Sequence, residues 1–396
     1  MTRTLHADCG QPEFTPPGLV SLSLITAPVL GPPHMHLAAP ADARYVGDLS
    51  PSGDPALYLA HIRSLYSWYC RHGAKAAVAA ASQAAAGAVV GSGTPPPLVV
   101  NTHGWIKGMG FEVLVEMLAG LPVTHCIQIA SGNPKKSLPP GAFWLPPQAQ
   151  AHSPTLPLCW LLPPVTGAEA GAELQQEQPA ASEVSNRSLE PAASEGGGGG
   201  ARGRPALNAV EQRGLQWLAW AQQCVANCAL SVAAGSGGGS GEGVEPGDAL
   251  ASALPFEVGL EGVEVQVLGG SLLPSQLWHA LNGAVVGLCT VAAPEEQRQQ
   301  QQQQQRQQQP SLPCLGLGLV RAADASCGAL QLLTAVPEAE LERTRVLQLG
   351  RLELPAALLQ TPRFMSPYLS LFGMSTAGTG SGAIKSRGNL MRASQL

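Results

Sequence analysis

The sequence predicts an α/β fold: a parallel sheet with helices, followed by a β-rich C-terminal domain, with low-complexity insertions. Three observations carry this reading. Leu98-Val99-Val100 is an apolar run that reads as a buried strand, and Phe111, Leu114, Val115 and Leu118 recur at the spacing of one helix face. Thr124 to Ala130 returns as a second apolar run, so strand, loop, helix and strand make the βαβ unit of a parallel sheet. Further on, Val263–Val267, Cys314–Val320 and Leu330–Thr334 alternate or are apolar, with turn residues between, which reads as β structure.

In chain order, Asp8 to Gly18 is a proline-rich loop, and Leu19 to Leu30 carries a strand. Ser50 to Pro55 starts a helix, with Asp54 as N-cap and Pro55 at the first helical position, and the helix runs through Leu57, Ile62, Leu65 and Tyr69. Residues 73–97 are rich in Ala, Gly, Ser and Pro and read as an insertion. In the βαβ unit, Gly104, Gly108 and Gly110 let the backbone come close to a ligand. Ligands of parallel sheets bind beyond the carboxyl ends of the strands, which is where Asn101, Thr102, Trp105 and Lys107 lie. Residues 166–200, with the run Gly196–Gly200, read as linker. Arg204 to Cys228 reads as a helix with Leu207, Val210, Leu215 and Leu218 available for burial, and 234–248 as a second Gly/Ser linker. The expected organisation is a domain over 1–230 with inserts at 73–97 and 166–200, and a linker over 231–254. A β-rich domain over 255–372 follows, split by a glutamine-rich insert at 297–309, and 373–396 forms a flexible tail.

Composition narrows the function classes. The chain has 396 residues, 46 Gly and 35 Pro, and only 12% of it is charged, against roughly 25% in ordinary soluble domains. A net charge of −5 gives no bulk attraction to nucleic acid, so any RNA contact must come from a local site. Nine scattered cysteines without a Cys-x-x-Cys pair indicate neither a disulfide framework nor a zinc ribbon, and a reducing intracellular compartment is expected. Cys224 and Cys228 stand at i, i+4 without a second ligand pair, so no metal site is expected there. No secretory leader or transmembrane run is expected either. His36, His61, His103, His125 and His279 form no metal-spaced set and read as loop or core histidines.

Several motifs occur in one order: Asp8-Cys-Gly-Gln-x-x-Phe-Thr-Pro-Pro-Gly18, Gly31-Pro-Pro33 with His36, Tyr45-Val-Gly-Asp-Leu-Ser-Pro51 with Asp54-Pro55, and Asn101-Thr-x-Gly-Trp-x-Lys-Gly-x-Gly110. Leu273-Pro-Ser-Gln-Leu-x-x-Ala-Leu-Asn282, Val286-Gly-Leu-Cys289 and Leu349-Gly-x-Leu-Glu-Leu-Pro355 continue the order. Over residues 5 to 372 this set resembles the polynucleotide 5′-hydroxyl kinases of ribosomal RNA processing, nucleolar relatives of the RNA kinase in pre-mRNA cleavage complexes. The resemblance implies a P-loop kinase domain and transfer of the ATP γ-phosphate, with Mg²⁺, to RNA with a 5′-hydroxyl end. It also implies an rRNA-processing endonuclease as partner, and location in the nucleus and nucleolus. One part of the pattern is missing. Phosphoryl transfer of this kind uses Gly-x-x-x-x-Gly-Lys-[Ser/Thr] to cradle the phosphates, and the sequence contains no such stretch. Gly380-Ser-Gly-Ala-Ile-Lys-Ser386 lacks the Gly before Lys and has no strand before it. In the family the loop precedes the Asp8 block, and here seven residues precede Asp8. The expectation is therefore a partial P-loop domain without the Walker A part, with a non-catalytic fragment or pseudokinase that binds RNA and a partner as the alternative.

The resemblance assigns roles residue by residue. Asp8 stands at the position of the acid that holds Mg²⁺ and draws the proton from the attacking hydroxyl; read alone, it is a turn Asp before Gly10. Gln11 orients a phosphate or a water, or serves as a loop amide. Trp105 matches the tryptophan that stacks on the terminal base, a sequence-tolerant contact, against the alternative of a core tryptophan. Asn101 and Thr102 are suited to bond phosphate or sugar, and Lys107 either neutralises phosphate or is a solvated loop lysine. Arg213, before Gly-Leu-Gln-Trp-Leu-Ala-Trp220, resembles the lid arginine that neutralises charge on the transferred phosphoryl group; read alone, it is an exposed helix arginine. A second lid arginine could be Arg202 or Arg204.

Overall fold

The computed structural model describes residues 2–85, 96–129, 137–146, 157–162, 207–233, 246–291 and 310–359. The expected linker at 166–200, most of that at 234–248, the glutamine-rich insert, the tail, Arg202, Arg204 and the stretch 380–386 lie outside the described residues. The strands are β1 (Thr2–His6), β2 (Leu19–Ile25), β3 (Asp42–Tyr45), β4 (Leu98–Asn101), β5 (His125–Ile129), β6 (Leu158–Leu162), β7 (Phe256–Gly259), β8 (Glu264–Val267), β9 (Val285–Cys289), β10 (Cys314–Asp324), β11 (Ala329–Thr334) and β12 (Val346–Leu349). The helices are α1 (Pro55–Ala85), α2 (Met109–Ala119), α3 (Ala209–Ala233), α4 (Pro246–Ser252), α5 (Pro274–Leu281), and the short α6 (Glu338–Leu341) and α7 (Ala356–Leu359). No helix among the described residues is long and apolar enough to cross a membrane. The chain divides into two compact units, residues 1–103 with 207–396, and residues 104–206.

In the first unit, four strands form a sheet in the order β3-β2-β1-β4. β1 and β4 run parallel, with Arg3 opposite Leu98 and His6 opposite Asn101, while β1, β2 and β3 form an antiparallel meander. The sheet is thus mixed rather than parallel throughout. β4 is an edge strand with Val99 52% exposed, not the buried strand its apolar run suggests. Three apolar residues in a row mark a strand without saying what covers its faces. Helix α1 starts as expected: Asp54 Oδ1 accepts the Leu57 N–H at 2.9 Å, and Pro55 fills a position that needs no donor. Tyr58 donates its hydroxyl to the Ala7 carbonyl at 2.7 Å, and the fully buried Arg44 donates to Asp42 Oδ1 at 2.6 Å and Ser64 Oγ at 2.9 Å, tying helix to sheet. The helix does not stop at residue 73 but continues to Ala85. Alanine is the strongest helix former, so the beginning of the expected insertion extends α1.

The same unit holds a six-stranded sheet in the order β7-β11-β10-β9-β12-β8, in which β12 and β8 are parallel and the other pairs antiparallel. The three runs expected as β structure are β8, β10 and β11. Helix α3 begins at Ala209 rather than Arg204. Asn208 Oδ1 accepts the N–H groups of Val210 (2.9 Å) and Glu211 (3.0 Å), and Glu211 Oε2 accepts the Asn208 N–H (2.8 Å), a reciprocal cap. Its buried face is Trp217, Trp220, Ala221, Cys224 and Cys228, while Leu207 and Val210 are 45% and 68% exposed. Two indoles offer more apolar area than the leucines and set the rotation of the helix.

This face packs in one core with Leu19 and Tyr45 of the first sheet and Val285, Leu317, Leu319, Leu333 and Val346 of the second. Tyr45 donates its hydroxyl to the Val285 carbonyl at 2.9 Å. Where the two sheets meet, Gly47 (φ 69°) lies so close to Gly350 that a Cβ on Gly350 would come within 2.4 Å of the Gly47 backbone. The expected linker over 231–254 contains α4, whose Leu250 packs in this shared core, while a second core of Leu281, Val286, Leu288, Leu330 and Leu349 lies within the six-stranded sheet region itself.

In the second unit, α2 buries Gly110, Val113, Leu114, Met117 and Leu118, a face turned one position from the expected one, with Phe111 and Val115 half-buried. β5 pairs in parallel with β6, with Cys126 opposite Cys159 and Ile127 opposite Trp160. The two strands of the expected βαβ unit therefore fall in different sheets, because β5 finds its partner in Leu158–Leu162, a run the periodicity did not mark.

Candidate functional site

In the first unit, Asp8 lies two residues past the end of β1, beside the end of the parallel β4, and the Ala7 N–H donates to the Asn101 carbonyl at 2.8 Å. The acid loop and Asn101 are therefore brought together by strand pairing. The loop is held by its own side chain: Asp8 Oδ1 accepts the N–H groups of Gly10 (2.9 Å) and Gln11 (3.1 Å). Gly10 is required here, because a Cβ would meet the Leu49 carbonyl oxygen at 2.6 Å. Asn101 is exposed and Thr102 half-buried, at the rim of the same strand ends.

Helix α3 is tied to this loop. Gln11 Nε2 donates to Gln212 Oε1 at 3.1 Å, and the buried Gln216 donates to the Pro12 carbonyl at 2.5 Å. Arg213, half-buried, stands between those two anchors. Gln11 is thus engaged with the amide of Gln212. Gln212 and Gln216 were not visible to sequence reasoning, since a pairing across about 200 positions leaves no local signal.

This unit buries histidines, His6 and His61 among them. His6, which sequence reading passed over, is buried, its edge packs on Phe14 with ring centroids 5.2 Å apart, and burial lowers its pKa from 6.5 to about 4. His61 is buried, and burial, assisted by the Arg44 charge, lowers its pKa to about 3. His36 pairs with Glu13 at 2.8 Å, while His125 and His279 are exposed. Cys224 and Cys228 are core residues, and no group of three potential metal ligands occurs among the described residues.

The second unit carries Trp105 and Lys107. Gly110 packs directly on the Trp105 indole: a Cβ there would come within 2.3 Å of Cγ. Trp105 is half-buried and Lys107 exposed, before the first turn of α2. Gly108 adopts φ 53° at the N-cap, a left-handed conformation suited to glycine.

The assembled residues do not fit the phosphates of a nucleotide. The amides of Gly10 and Gln11 are turned onto Asp8 rather than outward, and no Gly-x-x-x-x-Gly-Lys-[Ser/Thr] stretch exists in the chain. Mg²⁺ commonly keeps its waters and takes one or two carboxylates, and Asp8 places one carboxylate in this loop.

Comparison with known proteins defines the class. Residues 2–141 match the family described as mRNA cleavage and polyadenylation factor CLP1 P-loop, and residues 251–355 match the NOL9-like C-terminal domain. The fold class is thus an α/β domain of the P-loop kinase type joined to a β-rich C-terminal domain. Over most of its length the chain is similar to the NOL9 polynucleotide 5′-hydroxyl-kinases. It is 28% identical over 368 residues to the polynucleotide 5′-hydroxyl-kinase NOL9 of Arabidopsis thaliana, covering 92% of this chain and 81% of that protein. It is 29% identical over 360 residues to the NOL9 kinase of Danio rerio, covering 90% of this chain. It spans 42% of the length of that relative. A solved Clp1p–Pcf11p complex aligns with a TM-score of 0.44 at 15% identity, over 89% of this chain and 67% of that one.

Proposed function

We propose that this chain supplies the acid loop, the RNA-contacting loop and the arginine helix of a polynucleotide 5′-hydroxyl kinase. The substrate is RNA with a 5′-hydroxyl end, phosphorylated from ATP with Mg²⁺ during pre-rRNA processing in the nucleolus, alongside an rRNA-processing endonuclease. The observation that carries this reading is the convergence of Asp8, Asn101 and the Arg213 helix at the carboxyl ends of two parallel strands. Asp8 Oδ1 is committed to two backbone N–H groups, so Oδ2 is the oxygen left to take a proton from the attacking 5′-hydroxyl or to ligate the metal. Asn101 and Thr102 bond phosphate or sugar, Trp105 stacks on the terminal base, and Lys107 faces phosphate. Arg213 neutralises charge on the transferred group. No step is assigned to the nucleotide itself, whose phosphates these residues do not fit. The domains 1–230 and 255–372 are the functional divisions of this reading.

The test is transfer of labelled γ-phosphate from ATP to a 5′-hydroxyl oligoribonucleotide, with an Asp8→Ala control. Transfer lost in the control supports the kinase. The Gly10 and Gln11 amides, turned onto Asp8 rather than outward, favour a second reading, a non-catalytic RNA- and partner-binding role. A folded sample that binds the oligonucleotide and transfers nothing supports that one.

A further inference from the structure

Cys126 and Cys159 lie directly opposite each other in the parallel β5–β6 pair. Paired residues of adjacent strands sit on one face of the sheet, about 4.7–4.9 Å apart in the direction of pairing. That spacing falls inside the Cα range of roughly 4.4–6.8 Å that a disulfide spans. Burial raises the pKa of both thiols, and Cys159 Sγ donates to the Pro157 carbonyl at 3.7 Å. Cys159 is exposed and Cys126 half-buried. Cys289 and Cys314 are also register partners, but they are sealed in the core and bonded to Gln348 and the Gly316 carbonyl. Cys70 and Cys327 are exposed on other elements.

We propose that Cys126 and Cys159 are a reversible oxidation site, closed to an intramolecular disulfide by exchange with a small-molecule disulfide such as oxidised glutathione. The exposed Cys159 thiolate attacks one sulfur of the co-reactant, its S–S bond breaks, and one thiol leaves with a proton from solvent. Cys126 then gives up its proton to solvent and attacks Cys159 Sγ. The protein disulfide forms as the second thiol departs. The two cysteines are oxidised by one electron each, and the co-reactant is reduced to two thiols. Cys159 is the attacking thiol and Cys126 the resolving one. The product stitches β5 to β6 and closes the chain between residues 126 and 159, which constrains the unfolded unit.

The experiment equilibrates the full chain in glutathione buffers of increasing oxidised fraction, quenches it in acid, alkylates it with N-ethylmaleimide and maps it by mass spectrometry. The expected product is a peptide pair linked through Cys126 and Cys159, lighter by two hydrogens and reversed by dithiothreitol. Cys126→Ser is expected to leave Cys159 trapped as a glutathione adduct, and Cys159→Ser to leave Cys126 reduced. Melting curves of both reduced variants, compared with the reduced parent, establish that they fold. The proposal is overturned if Cys126 and Cys159 carry separate glutathione adducts, or stay alkylated while Cys70 and Cys327 form adducts.

Discussion

At the scale of single residues, Gly110 decides whether Trp105 can present its ring. Replacing Gly110 by Ala inside a helix ordinarily stabilises slightly, by reducing the freedom of the unfolded chain. Here the new methyl would come within 2.3 Å of the Trp105 ring and must displace it. Gly110→Ala is therefore expected to weaken binding of a 5′-hydroxyl oligoribonucleotide about as much as Trp105→Ala, by about 1–3 kcal/mol. Fluorescence anisotropy reads both; unchanged affinity in Gly110→Ala with a retained fold would remove Trp105 from the RNA site.

The two buried histidines make a second residue-scale prediction. Folded pKa values of about 4 for His6 and about 3 for His61 lie below the ordinary 6.5, so both are neutral in the folded state. Between about pH 6.5 and 4 the unfolded chain takes up protons that the folded chain refuses, and stability falls as pH falls. The imidazole of His61 keeps its place through hydrogen bonds: Nε2 donates to the Tyr45 carbonyl at 3.1 Å, which leaves Nδ1 to accept from Ser311 Oγ at 2.8 Å. His6 has no hydrogen-bond partner at either ring nitrogen among the described residues. His6→Leu is accordingly expected to raise the melting temperature at pH 5 more than at pH 7. A parallel shift at the two values would mean that His6 does not titrate with unfolding. Asp8, Asn101 and Trp105 were visible in the sequence because they sit in short local motifs; His6 was not, because burial on a sheet face depends on what packs over it.

At the scale of elements, α1 and α3 show what local chemistry can and cannot announce. The Asp54-Pro55 start was legible because an N-cap and a proline act within one turn. The Asn208-x-x-Glu211 box carried the same kind of signal for α3 and marks its true beginning. Which face α3 buries was not legible, because Leu207 and Val210 fit a helix pattern while Trp217 and Trp220 meet a core built from distant strands. The resemblance to a lid helix has a consequence here. Its indoles are buried, with ring centroids 5.5 Å apart, so the middle of α3 is core, and the turn around Asn208 to Arg213 lies outside that packing. Trp220→Ala is expected to cost about 3–5 kcal/mol of stability, read by denaturant unfolding. Asn208→Ala should cost about 1 kcal/mol and loosen Arg213 without disturbing the core. Equal losses from the two substitutions would contradict this division of the helix.

At the scale of the molecule, composition proposes two domains and packing joins them. The Gly/Ser stretch before residue 246 reads as a boundary, and the C-terminal family match begins at residue 251. One apolar cluster of the six-stranded sheet is nevertheless completed by Leu19, Tyr45, Trp217 and Trp220, while a second, with Leu281, Val286, Leu330 and Leu349, is closed by its own residues, and the Tyr45 hydroxyl caps the Val285 carbonyl. Contacts between residues some 240 positions apart carry no periodic signature, so their absence from the sequence reading is physical. A fragment of residues 246–359 expressed alone would leave Val285, Leu317, Leu319 and Val346 without their covering side chains. Its expected state is compact with β structure but without fixed tertiary packing: far-UV circular dichroism retained, near-UV signal lost, and a hydrophobic dye bound. The complete chain should bind little of the dye and melt cooperatively. A cooperative melt of the fragment, matching the complete chain, would show that the six-stranded sheet closes its own core and that the shared cluster is an interface between separable domains.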